Sequence, residues 1–585
     1  MNWLEKLKRI PLRIHVLNAI AAYLLTDMVV ILAPGTDFYD IASIHDIPIK
    51  ACILSGFLLF GMITALEVFF ETKGLPVFLS SVLYSLSAVC IKTSDVYFTV
   101  CCIAVIGILT CYLIRNDLLT FRWHLSERML VTLVIMEYVI ISGLTAYACV
   151  LRYRSYNAST FDFGIFAQMY ENMAKTGLMT VSCERNVIDS HLLRHFSPIF
   201  YVLLPFYMLF RTPSFLAAIQ PISVLSGVLP LFLTAKHRQL SNPTVAVLAS
   251  VFLCYPTFTA ACYYDFHENL FLTPVLLWLM YFIECDHPKG IATCTVLTAM
   301  IKEDAVLYLC CIGLYLIFYK CRKMVGISII TFSLTVFLAA TSYINAFGDN
   351  TLSTQHYGNL IPPGSHGMAS ALQTVVWNPG YLMTQLLSAD KIVFLLQMLL
   401  PLMLVPLMSK QLSQQFLILP LGAVSLITTY PYQYDIDFQY SFGTGALLIC
   451  MTAENISLWK HEAQKKVLLT IMPIAAALLM LNHALPKYHF YRNTYSENLP
   501  DIALTDEVIA GIDPKASVTA STFLVPRLYQ HEELYMLDHD CIMTDYVLID
   551  KRFREEHSET EHLYHQMGYT QIYEQGYVIV LQKPE

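Results

Sequence analysis

The side chains best placed to do chemistry lie in a polar stretch, Arg152 to Pro198, between two apolar runs, and in a few later interruptions of apolar sequence. Asp162 stands in Phe161-Asp162-Phe163-Gly164, a carboxylate between aromatic residues. Desolvation disfavours the charged form of such a group, so its pKa rises toward the range of a general base. An Asp–Gly pair also reverses chains, and a plain turn is the alternative reading. Further on, His191 and His195 are four apart, with Asp189 adjacent. On a helix they would share a face and could take a divalent ion or a phosphate. Leu192-Leu193-Arg194 between them excludes an HExxH site, and interfacial histidines with ordinary hydrogen bonds are the alternative. Lys302-Glu303-Asp304 interrupts a long apolar stretch. Intramembrane charge is costly enough to mark function by default; a short loop in which Lys302 and Glu303 neutralise each other is the other reading. Asp265-Phe266-His267-Glu268 is a similar interruption, and Asp435 and Asp437 lie among tyrosines suited to stacking on a sugar or to a solvated loop.

These residues must be positioned by a membrane protein. Of the 585 residues, 56% are hydrophobic and only 14% charged, and the mean hydropathy is +0.55. A spanning helix needs about 20 apolar residues, and runs from Ile14–Ala33 to Val467–Leu485 predict about fifteen crossings on that rule. Segment Ser197–Phe210, short and containing Pro198 and Pro205, reads as half-inserted. The first run has no small-residue cleavage site and reads as a retained anchor. Most of the sixteen cysteines fall inside apolar runs, with Cys183 and Cys541 expected to be exposed, and no CxxC pair has the spacing of a zinc site. The net charge of −8 argues against a nucleic-acid partner.

Lys and Arg collect on the cytoplasmic side of short loops. Lys6, Lys8, Arg9 and Arg13 therefore place the N-terminus inside, as do Arg115, Arg122 and Arg128 for the next basic loop. Lys236, Arg238, Lys289, Lys320, Arg322, Lys323, Lys410, Lys460, Lys465 and Lys466 can all be inside if Ser197–Phe210 does not cross. The Asp162 loop, the 265–268 and 302–304 elements, Gly348–Ala389 and the 432–437 segment then share the outer face. The chain divides into an accessory four-span bundle (1–128), a core holding the polar loops (129–485) and a tail (486–585). The tail alternates strand-like runs (Ala516–Ala520, Tyr535–Leu537, Tyr546–Asp550, Tyr577–Gln582) with helix-like ones (Ala503–Ile512, Arg554–Gln566), which predicts a small extracytoplasmic α/β domain. It has no Gly-x-Gly-x-x-Gly or Walker motif.

The run Phe161-Asp162-Phe163-Gly164-Ile165-Phe166-Ala167-Gln168, then His195-Phe196-Ser197-Pro198, His267-Glu268 and Lys302-Glu303-Asp304 resembles a family of prokaryotic polytopic membrane proteins of unknown function. That family is grouped with the GT-C glycosyltransferases. The resemblance covers Met129 to Tyr319 well and the tail more loosely. It implies a GT-C-like transmembrane core and transfer of a sugar from a polyprenyl-phosphate donor to a cell-envelope glycan, lipid or protein on the outer face. Asp162 takes the place of the catalytic base, deprotonating the acceptor as the anomeric carbon inverts. Lys302, His195 and His267 are its candidates for stabilising the lipid-phosphate leaving group, with Gln168 and Glu268 as further substrate contacts. Glu303 and Asp304 are alternatives as base, as acceptor-orienting groups or as ligands of a divalent metal, on which GT-C enzymes differ. Many of those enzymes carry two adjacent acids in the first loop, whereas Phe163 follows Asp162 here. The rival reading is a transporter or flippase of a lipid-linked or envelope precursor, its acids relaying protons at broken helices.

Overall fold

A computed structural model describes residues 3–33, 41–119, 124–348, 356–537 and 541–584. Arg122 and the 349–355 part of the Gly348–Ala389 loop lie outside the described residues. The chain is mostly helical. Among the described residues, seven helices are long and apolar enough to cross a membrane: Leu12–Ile31, Ile49–Phe70, Val96–Arg115, Glu127–Arg154, Pro213–His237, Lys323–Phe347 and Glu462–Glu497. The pair Pro379–Leu386 and Ala389–Leu399, bent by 73°, makes an eighth if counted as one span.

The expected fifteen spans are not matched by helices of spanning length. Leu272–Glu284, Pro288–Ala299 and Val306–Phe318 have 12 or 13 residues. At 1.5 Å per residue they reach about 20 Å, against about 30 Å of hydrocarbon. Leu272–Glu284 and Val306–Phe318 are instead packed inside the protein, with Leu276, Leu279, Leu309, Ile312 and Leu316 fully buried, whereas Pro288–Ala299 exposes Ala292, Thr293 and Val296 on one side. Phe416–Tyr430, also expected to span, consists of short irregular helical turns. Segment 197–210 forms a turn, Pro198–Val202, and a seven-residue helix, Leu204–Phe210.

The first helices pack on one another through Ile14, Leu17, Ala21, Ile63, Val77 and Leu113. Val89, Ile103 and Ile106 then lean on Ile471, Ala475, Leu478 and Leu479 of the 36-residue helix Glu462–Glu497. That helix runs about 54 Å and passes through Pro486, where the composition changes, without stopping.

The tail holds a five-stranded sheet, β3 (Val518–Ala520), β4 (Leu534–Met536), β5 (Tyr546–Asp550), β6 (Thr570–Gln575) and β7 (Val578–Gln582), in the order β4-β3-β5-β7-β6. β3 runs parallel to β4 and β5, and the β5–β7 and β6–β7 pairs are antiparallel. Helices Leu499–Ala510 and Ser558–Gln566 accompany it. β6 went unpredicted because Thr-Gln-Ile-Tyr-Glu-Gln is an exposed edge strand with no apolar face to bury. The β4 edge is covered by the hairpin of β1 (Thr180–Val181) and β2 (Asp189–Ser190) and the loop between them. Leu534 N–H donates to Ser182 Oγ at 2.9 Å, and Asn186 exchanges two hydrogen bonds with the Met536 backbone at 2.7 and 2.8 Å. Cys183, expected to be exposed, is buried in this contact.

Candidate active site

Asp162 sits in a single π-helical turn, Thr160–Gly164, that enters the helix Ile165–Thr176. Such turns interrupt the α-helical ladder and recur at functional sites. The turn is held from the tail. Thr160 N–H donates to Thr522 Oγ1 at 3.1 Å and Thr160 Oγ1 to the Thr522 carbonyl at 2.9 Å. Gly164 lies so close to Val525 that a Cβ would stand 3.1 Å from its methyl. Arg527 lies 4.9 Å over both Tyr153 and Tyr156, fixing the same loop.

The Asp162 side chain keeps part of its surface accessible. Burial first, and then the neighbouring Asp265 carboxylate, push its pKa up to about 7, while a hydrogen bond from Tyr264 works the other way. Asp265 is itself buried and forked onto Arg152, with one bond at 3.2 Å, and accepts from Ser159 Oγ at 3.1 Å. Asp265, 103 positions downstream in the chain, is thus a neighbouring carboxylate of Asp162 in space. Its loop is fastened by Gln220, whose Nε2 donates to the Asp265 carbonyl at 3.1 Å and whose Oε1 accepts from His267 N–H at 3.0 Å. Gln220 was legible only as a lone amide in an apolar run.

His267, Glu268 and Lys302 form one buried group. Lys302 Nζ is 3.1 Å from Glu268 Oε1, and His267 Nδ1 is 3.2 Å from Glu268 Oε2. Burial works against the Glu268 charge, yet His267 and Lys302 hold its carboxyl well below the usual range. Burial likewise opposes the Lys302 charge, and Glu268 more than offsets it, raising the ammonium's pKa. His267 is driven by burial down to about 3, so its imidazole is neutral. Both Glu268 oxygens are buried and accept no hydrogen bond.

His195 and Glu303 form the adjoining pair, Nδ1 to Oε1 at 2.9 Å, and Glu303 Oε2 accepts from Phe196 N–H at 3.0 Å. Both carboxylate oxygens of Glu303 are thus engaged, which orients His195. Asp304, next to it, is exposed. Among the described residues, no three His, Cys, Asp or Glu side chains are arranged to hold a metal ion.

Gln168 and the His191–His195 pair are engaged within the protein. Gln168, expected at the substrate, is fully buried and its amide is consumed internally: it donates to Ser182 Oγ at 2.7 Å and the His531 carbonyl at 3.0 Å, and accepts from Ser182 N–H at 2.8 Å. It clamps the tail to the core. His191 and His195 do not form a ligand pair; His191 Nδ1 turns to Glu184, 2.9 Å away, and Asp189 to Arg194, 2.8 Å away. Phe166 packs edge-on to His191 and His267, at 5.4 and 5.7 Å, holding the two imidazoles apart.

Facing this group is a run of rings. Tyr264 meets Phe438 at 4.5 Å, Phe438 meets Tyr432 at 4.5 Å, and Tyr432 meets Tyr430 at 5.1 Å. Tyr430 is stacked on His356 at 4.5 Å, and Tyr440 lies 5.9 Å from His356. Tyr440 feels the charges of Lys302, Asp162 and Asp304.

Long apolar helices enclosing a buried set of acids, histidines and one lysine define a multi-pass membrane protein with a polar centre. The chain belongs to the family described as "Predicted membrane protein (DUF2079)", whose profile matches residues 152–580 and so begins at the polar stretch. No curated protein matches it. Among solved structures, ArnT from Cupriavidus metallidurans bound to undecaprenyl phosphate is similar over 77% of this chain and 99% of that chain, at 10% identity and a TM-score of 0.49. Its apo state is similar over 76% and 98%, at 11% identity and a TM-score of 0.40. Likenesses at that level bear on neither the fold nor the reaction here.

Proposed function

We propose that this protein is an integral-membrane glycosyltransferase that moves a sugar from a polyprenyl-phosphate donor to a cell-envelope acceptor, with Asp162 as general base. The observation that carries this reading is Asp162 itself: a partly accessible carboxyl, raised to about 7, in a tail-locked turn beside a buried lysine and two histidines. A base with a pKa near the operating pH has both the right protonation state and the driving force for proton transfer.

In the proposed reaction the acceptor hydroxyl gives its proton to the Asp162 carboxylate. Its oxygen bonds to the anomeric carbon as the carbon–oxygen bond to the lipid phosphate breaks, and the electron pair leaves with the phosphate. Charge developing on that oxygen is best met by preorganised donors. His195, held by Glu303, and Lys302, held by Glu268, are the groups for this, and His267 supplies a neutral imidazole. Because Lys302 is already paired, its field is partly cancelled until the phosphate competes with Glu268 for it. In this reading the Asp162 end faces outward and the basic loops face the cytoplasm.

The test is transfer of labelled sugar from polyprenyl-phosphate donors to envelope fractions by purified wild type and Asp162→Asn. Transfer by the wild type, lost in the variant while donor binding persists, is the expected result. Equal turnover in both removes the base from Asp162, and absence of donor binding turns the reading toward transport.

A further inference from the structure

The ring array beside Asp162 is not a closed core. Tyr432 is 43% exposed, and Tyr264, Tyr430, Phe438 and Tyr440 are each only partly buried. Four of the rings, Tyr430, Tyr432, Phe438 and Tyr440, come from the short stretch 430–440, and they are met by His356 and by Tyr264 of the Asp265 loop. The stretch is tied down at both sides, Asn359 Nδ2 donating to the Ile427 carbonyl at 2.9 Å and Lys487 Nζ lying 2.9 Å from Asp437. Partly open aromatic faces on a pinned segment are a built surface.

The same stretch carries a second, independent feature. Gln433 and Gln439 are 4% and 3% exposed, and the side-chain carbonyl oxygen of each accepts no hydrogen bond. Buried acceptors are ordinarily paired, and one left unmet costs about 1–3 kcal/mol. A ligand suited to this stretch presents an apolar face to the rings and hydroxyl donors to amide carbonyls. A hydrocarbon chain has no donors. A pyranose has both: axial C–H bonds on one face, which favour the negative face of an aromatic ring, and hydroxyls around its rim.

We propose that Tyr264, Phe438, Tyr432 and Tyr430, backed by His356 and Tyr440, are the surface on which a pyranose ring lies while it faces Asp162, with Gln433 and Gln439 accepting from its hydroxyls. This deepens the transferase reading and rests on it for the direction of the chemistry, though not for binding itself. The ring is that of the donor sugar or of a saccharide acceptor.

The test is saturation-transfer NMR on the full chain in nanodiscs, with methyl glycosides of common hexopyranoses and pentopyranoses as probes. Wild type should give a signal with at least one glycoside. Tyr432→Ala and Phe438→Ala should weaken that binding by about tenfold, while Tyr432→Trp and Tyr430→Phe, which keep a ring, and Asp162→Asn should retain it. Thermal melts confirm that the alanine variants fold. Displacement by sugar-loaded polyprenyl phosphate but not by polyprenyl phosphate alone assigns the ring to the donor; displacement by an oligosaccharide assigns it to the acceptor. No signal with any glycoside, or undiminished binding in folded Tyr432→Ala and Phe438→Ala, overturns the proposal. Glycoside binding that obeys this pattern, with no transfer from any polyprenyl-phosphate sugar, keeps the sugar surface and overturns the transferase reading instead.

Discussion

Helices Leu272–Glu284 and Val306–Phe318 each have a cluster of charge at both ends, about 20 Å apart by helix rise, and the two clusters are built on different terms. At the Glu284 and Phe318 ends, Arg238 and Lys320 both meet Glu284 and Glu454, at 2.7–2.8 Å. Tyr315 and Gln414 each donate a further bond to Glu454 at 2.9 Å. Two cations face two anions, and all four carboxylate and cation side chains are paired. At the opposite ends the acids Asp162, Asp265, Glu268, Glu303 and Asp304 outnumber the fixed cations Arg152 and Lys302. Asp162 is only partly covered, and Glu268 accepts no hydrogen bond. Charge is matched at one end of these helices and acids are in excess at the other, where the proposed site lies.

The largest effect that sharpens this contrast is loss of the proposed base. Asp162→Asn should lower labelled-sugar transfer by about 10²–10⁴-fold, the usual worth of general base catalysis, with donor binding retained. Glu454→Ala should do the reverse. Removing one partner from a buried ion-pair network costs about 3–5 kcal/mol, so denaturant or thermal unfolding should show a large loss of stability. The folded fraction should keep the acid limb of its pH–rate profile. A transfer defect in Glu454→Ala that exceeds its loss of folded protein would break the comparison.

Much of this contrast could be read from the chain, and the part that could not has physical causes. Asp162, His195, His267, Glu268 and Lys302 were recognisable because charge in apolar sequence is expensive, and they do converge. The basic residues Arg238, Lys320 and Arg322, grouped by loop charge alone, do share one end of the molecule. Partners were another matter. Arg152 and Asp265 are 113 residues apart, and His195 and Glu303 108 apart, and nothing local marks such pairings. Gln168 looked like a substrate contact from its motif, but its amide had a buried backbone edge to satisfy. Seven or eight helices, not fifteen, have spanning length among the described residues, because an apolar run reports burial and not what buries it.

The electrostatic origin of the Asp162 shift gives the next test. Asp265 raises it, so Asp265→Asn should move the acid limb of kcat/KM from about 7 to lower pH, and Arg152, left without its partner, pushes the same way. The profile, taken between pH 5 and 8.5 in nanodiscs, should show the variant losing less activity than wild type as pH falls. A limb that stays at about 7 would mean that desolvation alone sets it, and that the unbalanced acids have no part in tuning the base.

The smallest effect is on stability, and its sign follows from linkage. A carboxyl whose folded pKa is raised is disfavoured when charged, so it costs stability above its unfolded value near 4, and the cost grows until about pH 7, where the folded group ionises. Asn at that position carries no charge to desolvate. Asp162→Asn should therefore melt higher than wild type at pH 8 and at the same temperature at pH 4, where the wild-type carboxyl is protonated when folded. Glu454→Gln should melt lower than wild type at pH 8, because its charge is met on every side. Opposite signs from two acids in one protein are what separates a carboxylate kept for chemistry from one kept for structure. The same sign from both would mean that the two ends are built alike.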